Sequence, residues 1–240
     1  MNSLRRYCFL LLVTFMFYVQ AGLARDDDHS STTSMKPVPL GKLCVTEGKL
    51  KGLGGDRLSV SVPKMRAFVA KPTLQEVEAQ FTYLGPTKES APLSSGEIRR
   101  QFGLKLRAQD GCNLVYAMWR IEPTSELVVS VKSNPGMTKS SECDAHGYHN
   151  IKPERSVNVP AIKKGGSYTL RAIIDNNTMR VYANNKLVWE GLLGAEALAF
   201  NGPVGVRTDN GRFDFKLFAA EPQAGQQGAS AACHAGDGEE

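Results

Sequence analysis

The sequence predicts an all-β protein, a two-sheet antiparallel sandwich, and two observations carry this prediction. Short runs of alternating apolar and polar residues follow one another along the chain, and such alternation is typical of half-buried strands. Turn-forming residues separate several runs, at Asn176-Asn177, Asn184-Asn185 and Asp209-Asn210-Gly211. These residues tolerate the positive φ of tight hairpin turns. Many short strands without intervening helices indicate two packed sheets.

The alternation also predicts which side chains are buried. In the run 99–107, Phe102, Leu104 and Leu106 share one face while Lys105 lies on the other, so we expect the apolar face to be buried. One or two helical turns are expected near residues 194–199. The predicted strands, in chain order, are 58–62, 65–70, 76–83, 99–107, 113–121, 127–133, 168–175, 178–184, 187–190, 204–208 and 212–219.

The two ends of the chain are predicted to lie outside this domain. Residues 1–24 combine Arg5 and Arg6 with an apolar run and small residues before Ala24, which predicts a secretory signal peptide cleaved after Ala24. An uncleaved anchor is the alternative, but the apolar run is shorter than the ~20 residues of a spanning helix. We expect a flexible leader over 25–39, the jelly-roll domain over 40–220 and a disordered tail over 221–240.

Composition limits the partners and the compartment. The chain of 240 residues has a net charge of +5. Loss of Arg5 and Arg6 with the signal would leave 27 basic and 24 acidic residues, a charge of +3. A mild charge spread along the chain argues against nucleic acid as a partner. We therefore expect an exported protein, periplasmic or extracellular, with no cofactor and no transmembrane segment after cleavage.

Four cysteines remain after cleavage, and an even number in an exported chain predicts two disulfides. Of the possible pairings we expect Cys112–Cys143 and Cys44–Cys233, although Cys233 could instead be a free thiol or form an intermolecular bond. A Cys-x2-His-x2-His pattern begins at Cys143 and could bind zinc or copper. Because a fourth ligand is not evident, we expect the disulfide and no metal.

Two segments near the C-terminus resemble the concanavalin A-like (LamG-type) jelly-roll superfamily. They are DNNTMRVYANNKLV at 175–188 and GPVGVRTDNGRFDFKLF at 202–218. Secreted bacterial proteins related to 3-keto-disaccharide hydrolases are the nearest branch, since the G-x-L at 48–50 and the Gly-containing run ending in Arg at 103–107 occur in the same order. The resemblance covers about residues 45–219 and implies fold more than activity, because lectins, binding modules, hydrolases and lyases share this fold.

The resemblance implies a carbohydrate site on the concave face of the larger sheet. A sugar presents apolar C–H faces and hydroxyls, which suit an aromatic platform with fixed donors nearby. The residues predicted to contact a carbohydrate or glycan ligand are Lys105, Arg107, Asn113 and Trp119.

This site depends on which face of the strand 113–121 points outward. Either the set containing Asn113 and Trp119 faces outward, or the set Tyr116, Met118 and Arg120 does. We expect the first arrangement, which leaves Trp119 beside a groove lined by small residues. The alternative is that Trp119 belongs to the core.

The pattern of acidic residues favours binding over catalysis. Jelly-roll endoglucanases use an E-x-D-x-x-E pattern, in which carboxylates share the acid and nucleophile roles, and the chain does not contain it. Glu76 and Glu78 share a face without a third acid, which also fits a solvated strand edge. We therefore expect a non-catalytic carbohydrate- or glycan-surface-binding module. The alternatives are a glycoside-processing hydrolase of the 3-keto-disaccharide type and a protein-binding or adhesive module with a flat apolar face.

Overall fold

The computed structural model describes residues 34–233, which form two antiparallel sheets. Helical structure in this part of the chain consists of a 3-10 turn (Leu40–Lys42), α1 (Ser140–Cys143) and α2 (Ala195–Leu198). The strands are β1 (Met35–Pro37), β2 (Leu43–Glu47), β3 (Lys51–Gly54), β4 (Arg57–Val60), β5 (Lys64–Val69), β6 (Glu76–Pro86), β7 (Arg100–Leu106), β8 (Leu114–Glu122), β9 (Glu126–Lys132), β10 (Tyr148–Asn150), β11 (Arg155–Ser156), β12 (Ser167–Asp175), β13 (Thr178–Ala183), β14 (Lys186–Leu192), β15 (Gly205–Asp209) and β16 (Gly211–Ala220).

The two sheets form a sandwich in which strands that are neighbours in sequence often do not pair with each other. The nine-stranded sheet has the order β11-β14-β13-β12-β6-β16-β4-β3, and β1 also pairs with β16. The seven-stranded sheet has the order β10-β9-β8-β7-β15-β5-β2. Consecutive strands β15 and β16 thus belong to different sheets, which places one sheet over the other. The predicted all-β, two-sheet antiparallel jelly-roll sandwich is confirmed.

Apolar residues from alternate positions of both sheets form one core. Phe102 of β7 stacks on Phe81 of β6 with ring centroids 4.2 Å apart, and Phe213 of β16 packs edge-on against both rings. These three side chains are essentially inaccessible to solvent. The predicted inward face of Phe102, Leu104 and Leu106 is therefore confirmed.

The hairpin turns predicted at Asn176-Asn177 and Asn184-Asn185 are confirmed, because β12 pairs with β13 and β13 pairs with β14. The turn at Asp209-Asn210-Gly211 is not the predicted hairpin, because β15 and β16 lie in different sheets. Asn176, Asn184, Asn185 and Asn210 all have positive φ, between 48° and 64°. Asparagine adopts this left-handed conformation more readily than most residues. Every predicted strand has a counterpart in the structure, and α2 matches the predicted helical turn. Strands β1, β2, β3, β10 and β11 were not predicted because they are short and lie at sheet edges or outside the main strand order, where alternation is weak.

The domain extends beyond the predicted bounds at both ends. Strand β1, which the sequence placed in the leader, pairs with β16. The prediction of disorder from 221 onward is wrong for residues 221–233, because Ala229 pairs with Thr73 and Cys233 is covalently bound to Cys44. The predicted signal peptide, the first part of the leader (25–33) and residues 234–240 lie outside the described residues. Within 34–233, no helix is long and apolar enough to cross a membrane.

Both predicted disulfides are confirmed. Cys112 bonds to Cys143 across a separation of 31 residues, and Cys44 bonds to Cys233 across 189 residues. Disulfides persist mainly in oxidising compartments, and two of them fit the predicted export. Since Cys143 is oxidised, its thiolate is not available to the Cys-x2-His-x2-His metal site considered above.

Removing the Cys112–Cys143 bond should destabilise the fold measurably. Loop-closure entropy predicts that Cys112→Ser with Cys143→Ser lowers the free energy of unfolding by about 3–4 kcal/mol. Urea denaturation followed by tryptophan fluorescence measures this loss. The matched control is the same double change at Cys44 and Cys233, whose longer loop should give an equal or larger effect. A loss below about 1 kcal/mol for the first pair would contradict the entropic account.

Candidate functional site

The structure places Trp119 in the core, so its predicted role in ligand contact is wrong. Its indole is 0% exposed and packs edge-on against Phe81 and Tyr168, with centroids 6.0 and 5.5 Å away. Alternation fixes which residues of a strand share a face but not which face is buried. The larger apolar volume of Trp119 fills the space between the sheets, and Tyr116 and Met118 point outward instead.

Asn113 holds loops together instead of facing a ligand. Its amide nitrogen donates to the Asp110 carboxylate at 3.0 Å and to the Met137 carbonyl at 2.9 Å. Its amide oxygen accepts from the Asn134 N–H at 2.8 Å. Because these bonds occupy both the nitrogen and the oxygen of a buried amide, the side chain has a structural role. The prediction of Asn113 as a sugar contact is therefore not supported by its surroundings.

Arg107 also lies away from the predicted surface. It follows the last residue of β7 with φ of 48°, so the strand alternation does not extend to it. Its guanidinium donates to the carbonyl of Leu198, the last residue of α2, and its backbone N–H donates to the Gln75 side chain at 2.7 Å. Burial lowers the pKa of this guanidinium. These contacts tether the end of the strand.

Of the four predicted contact residues, only Lys105 lies on an outer sheet face. That face belongs to the seven-stranded sheet, the smaller of the two and not the larger one that the sequence suggested. Cationic side chains from three other strands accompany it. We call this surface the cationic face and define it by Arg66 on β5, Lys105 on β7, Tyr116 on β8, Lys132 on β9, Tyr148 on β10, and Arg207 and Asp209 on β15.

A single buried carboxylate organises the guanidinium groups of the cationic face. Asp209 is 0% exposed and accepts from Arg66 Nη2 at 2.7 Å, Arg207 Nε at 2.9 Å and Gln101 Nε2 at 2.6 Å. Burial alone would raise its pKa, but Arg207 and Arg66 outweigh this and lower the pKa of Asp209 to about 2. The carboxylate is therefore ionised, and both of its oxygens are occupied.

Two tyrosine rings extend this cluster across the sheet. The Arg207 guanidinium lies 4.8 Å from the centre of the Tyr116 ring, and Tyr116 stacks on Tyr148 with centroids 6.1 Å apart. Arg207 Nη1 also donates to the Tyr148 hydroxyl at 3.1 Å. Burial tends to raise the pKa of Tyr148, but Arg207 and Lys132 reverse this and lower it. Tyr148 is 40% exposed, so it is the part of the cluster that a ligand meets first.

The two lysines of the cationic face are buried without a carboxylate partner among residues 34–233. Lys132 is 3% exposed, and its ammonium donates to the Gly111 carbonyl at 3.3 Å. Lys105 is 4% exposed, and its ammonium lies 5.8 Å from the centre of the Phe68 ring. Burial lowers the pKa of both lysines, and burial together with Arg66 and Arg207 lowers that of Lys105 to about 7.

Sequence reasoning missed most of this cluster because its residues come from distant segments. Arg207 and Asp209 alternate with core residues along β15, and Lys132 does so along β9, so the alternation does carry a signal. What the sequence lacks is the strand order, which places β15 beside both β7 and β5. The pairing of Arg207 with Arg66 across strands is visible only once that order is known.

The nine-stranded sheet carries a second polar surface. An open groove of about 440 Å³ lies on its outer side. Its polar lining includes Gln80, Thr82, Thr169, Asn184, Asp214 and Lys216. In contrast to the cationic face, this groove mixes neutral groups with opposite charges. The groove therefore serves as a natural comparison surface in binding experiments.

Histidine and acidic residues do not converge on a metal site in the part of the chain that the structure describes. His149 lies 3.2 Å from Glu196, an exposed pair that joins β10 to the start of α2. This contact links the edge strand β10 to α2, which follows β14.

Comparison with known proteins gives a likeness of fold. No family model matches the chain, and no curated protein matches it in sequence. A carbohydrate-binding module from Bacillus subtilis is 13% identical, with a TM-score of 0.49 over 72% of this chain and 91% of that one. A putative glycosyl hydrolase from Parabacteroides distasonis is 10% identical, with a TM-score of 0.46 over 77% and 90%. Likenesses of this size carry no argument about ligand or activity.

Proposed function

We propose that this protein is an exported, non-catalytic carbohydrate-binding module that binds its ligand on the cationic face. The observation that carries the proposal is the preorganised polar cluster on the outer side of the seven-stranded sheet. Arg207 and Tyr148 are held by their mutual hydrogen bond, and Arg207 is fixed further by Asp209. Donors held in this way lose little entropy when they bind hydroxyl groups. The exposed edge of Tyr148 offers an aromatic surface to a sugar ring.

The state of the carboxylates supports binding over hydrolysis. Glycoside hydrolysis uses two carboxyl groups, one of which keeps its proton near neutral pH. Asp209 is the one Asp or Glu that is buried within residues 34–233, and its low pKa keeps it ionised. Glu76, an acid of the pair considered from sequence, is bound to the Arg171 guanidinium on the other sheet. Neither group is placed to act as a proton donor.

Loss of Tyr148 should weaken glycan binding. The chain from Arg25 is titrated with a panel of neutral and acidic polysaccharides by calorimetry. We expect Tyr148→Ala to weaken binding by about tenfold, which corresponds to 1.4 kcal/mol. The control is Lys216→Ala in the groove of the nine-stranded sheet, which should bind as the unmodified chain does.

Three results would overturn the proposal. Absence of binding to every glycan would point to a protein partner. Loss of binding in Lys216→Ala instead of Tyr148→Ala would move the site to the other sheet. Release of reducing sugar from any glycan in the panel would favour the hydrolase.

A further inference from the structure

We infer that the ligand of the cationic face carries an anionic group, a carboxylate or a sulfate ester, and that Lys105 binds this group. The inference rests on the proposed function and names the chemical class of its ligand. The charge balance of the face, the surroundings of Lys105 and the neighbouring side chains support it.

The cationic face has an excess of positive charge. Its cations are Arg66, Lys105, Lys132 and Arg207, and its one buried carboxylate is Asp209. Both guanidinium groups already share Asp209. The lysine charges are therefore not neutralised by a buried acid of the described chain. Such an arrangement is unfavourable in the free protein and favours the entry of an anion.

Lys105 is a cation of the cationic face whose hydrogen-bonding capacity is unmet. Its ammonium has three donors, yet no hydrogen bond from it to residues 34–233 is formed. The Phe68 ring lies near it, and the like charges of Arg66 and Arg207 act on it more strongly than the opposite charges of Glu47 and Asp110. An oxygen anion from the ligand would supply the missing acceptor and would also interact favourably with both arginines.

The strand register places Lys105 between Gly205 on β15 and Tyr116 on β8. Gly205 brings no side chain to this point of the face. On the other side Lys105 pairs with Tyr116, whose ring lies against Arg207. A sugar that packs on the exposed part of Tyr148, which stacks on Tyr116, would extend a ring substituent toward Lys105. This placement favours a charged sugar over a free inorganic ion.

Binding should depend on the charge of Lys105 and therefore on pH. Burial, Arg66 and Arg207 lower the pKa of Lys105 to about 7, while Glu47 and Asp110 oppose this with smaller effects. The free protein therefore loses this charge as the pH rises through about 7. We expect the affinity for an acidic glycan to fall between about pH 6 and 9, and binding near neutral pH to take up a proton. Calorimetry in two buffers of different ionisation enthalpy measures that uptake.

The experiment compares acidic ligands with a neutral ligand of equal length. Equal-length oligogalacturonate and galactan fragments are titrated at low salt, with heparin oligosaccharides as the sulfated arm. We expect the acidic ligands to bind at least about tenfold more tightly than galactan, the preference expected from one charge-assisted contact. The preferred acidic arm separates carboxylate from sulfate recognition. Short duplex DNA of similar charge should bind more weakly than either.

Lys105→Met tests the residue itself. The change removes the charge and keeps most of the length, and we expect it to abolish the acidic preference and the proton uptake. Lys216→Met on the other sheet is the matched control and should change neither. Circular dichroism verifies that the variants are folded. Proton uptake by the unmodified chain tests, without any substitution, whether binding depends on the charge of Lys105.

The outcomes separate the two proposals. If galactan binds as tightly as oligogalacturonate and Lys105→Met has no effect, the inference fails and the binding module stands. If none of the sugars binds, both fail. Duplex DNA that binds as tightly as the acidic sugars, with the same dependence on Lys105, would overturn the inference in favour of general anion binding.

Discussion

Replacing Asp209 with Asn is expected to lower the free energy of unfolding at pH 7 by about 3–5 kcal/mol. The reason is that the buried Arg207 would lose the carboxylate that compensates its charge, and the partly buried Arg66 would keep only its 3.7 Å contact with Glu47. Removing one partner of a buried ion pair costs far more than removing an exposed pair, since the remaining charge has no solvent to screen it. The Gln101 amide would lose its strongest acceptor as well.

Urea denaturation of the two proteins measures this loss, and Asp214→Asn is the matched control. Asp214 pairs with Arg57 at 3.4 Å on the surface of the nine-stranded sheet. An exposed pair of this kind contributes at most about 1 kcal/mol. Equal effects of the two substitutions would contradict the view that Asp209 organises the cationic face.

The contribution of Asp209 should also depend on pH in a defined direction. Its folded-state pKa of about 2 lies below the ordinary value of 3.8. The stabilisation is therefore fully present above about pH 4 and is lost as the pH falls through about 2. The difference in stability between the unmodified chain and Asp209→Asn should narrow over this acidic range. A constant difference from pH 6 to 2 would argue against a carboxylate with a lowered pKa.

Replacing Trp119 with Ala is expected to cost about 3–5 kcal/mol of stability, as large-to-small core substitutions do. The indole packs against Phe81 and Tyr168, which belong to the other sheet, so its loss opens a cavity between the two layers. Trp119→Phe fills part of this space and should cost less. We expect Trp119→Phe to bind the ligand of the cationic face with unchanged affinity, because the ring does not reach that face.

Thermal or urea unfolding of both variants, followed by calorimetric titration of Trp119→Phe, measures these effects. A folded Trp119→Ala protein of unchanged stability that has lost glycan binding would restore the site predicted from the sequence. If Trp119→Ala loses both stability and glycan binding, the result does not separate a core role from a ligand-contact role. Binding by Trp119→Phe then decides between them.

Strands β7 and β8 differ in how clearly their sequences show which face is buried. In β7 the inward set consists of Phe102, Leu104 and Leu106, and the outward set contains Lys105, so the faces are unambiguous. In β8 almost every residue is apolar or aromatic, and both faces are buried. Alternation then divides β8 into two sets of residues but does not show which set faces the core. The prediction placed the set that contains Trp119 on the outer face, which is wrong.

The sequence by itself determined most of the strands, two hairpin turns, the expectation of two disulfides and the outward position of Lys105. These depend on alternation, the positive φ of asparagine, and an even number of cysteines in an exported chain. Only the tertiary structure decided the orientation of Trp119 and the make-up of the cationic face. Its residues lie on strands far apart in sequence, and the order that brings them together follows from how both sheets bury their apolar faces at once.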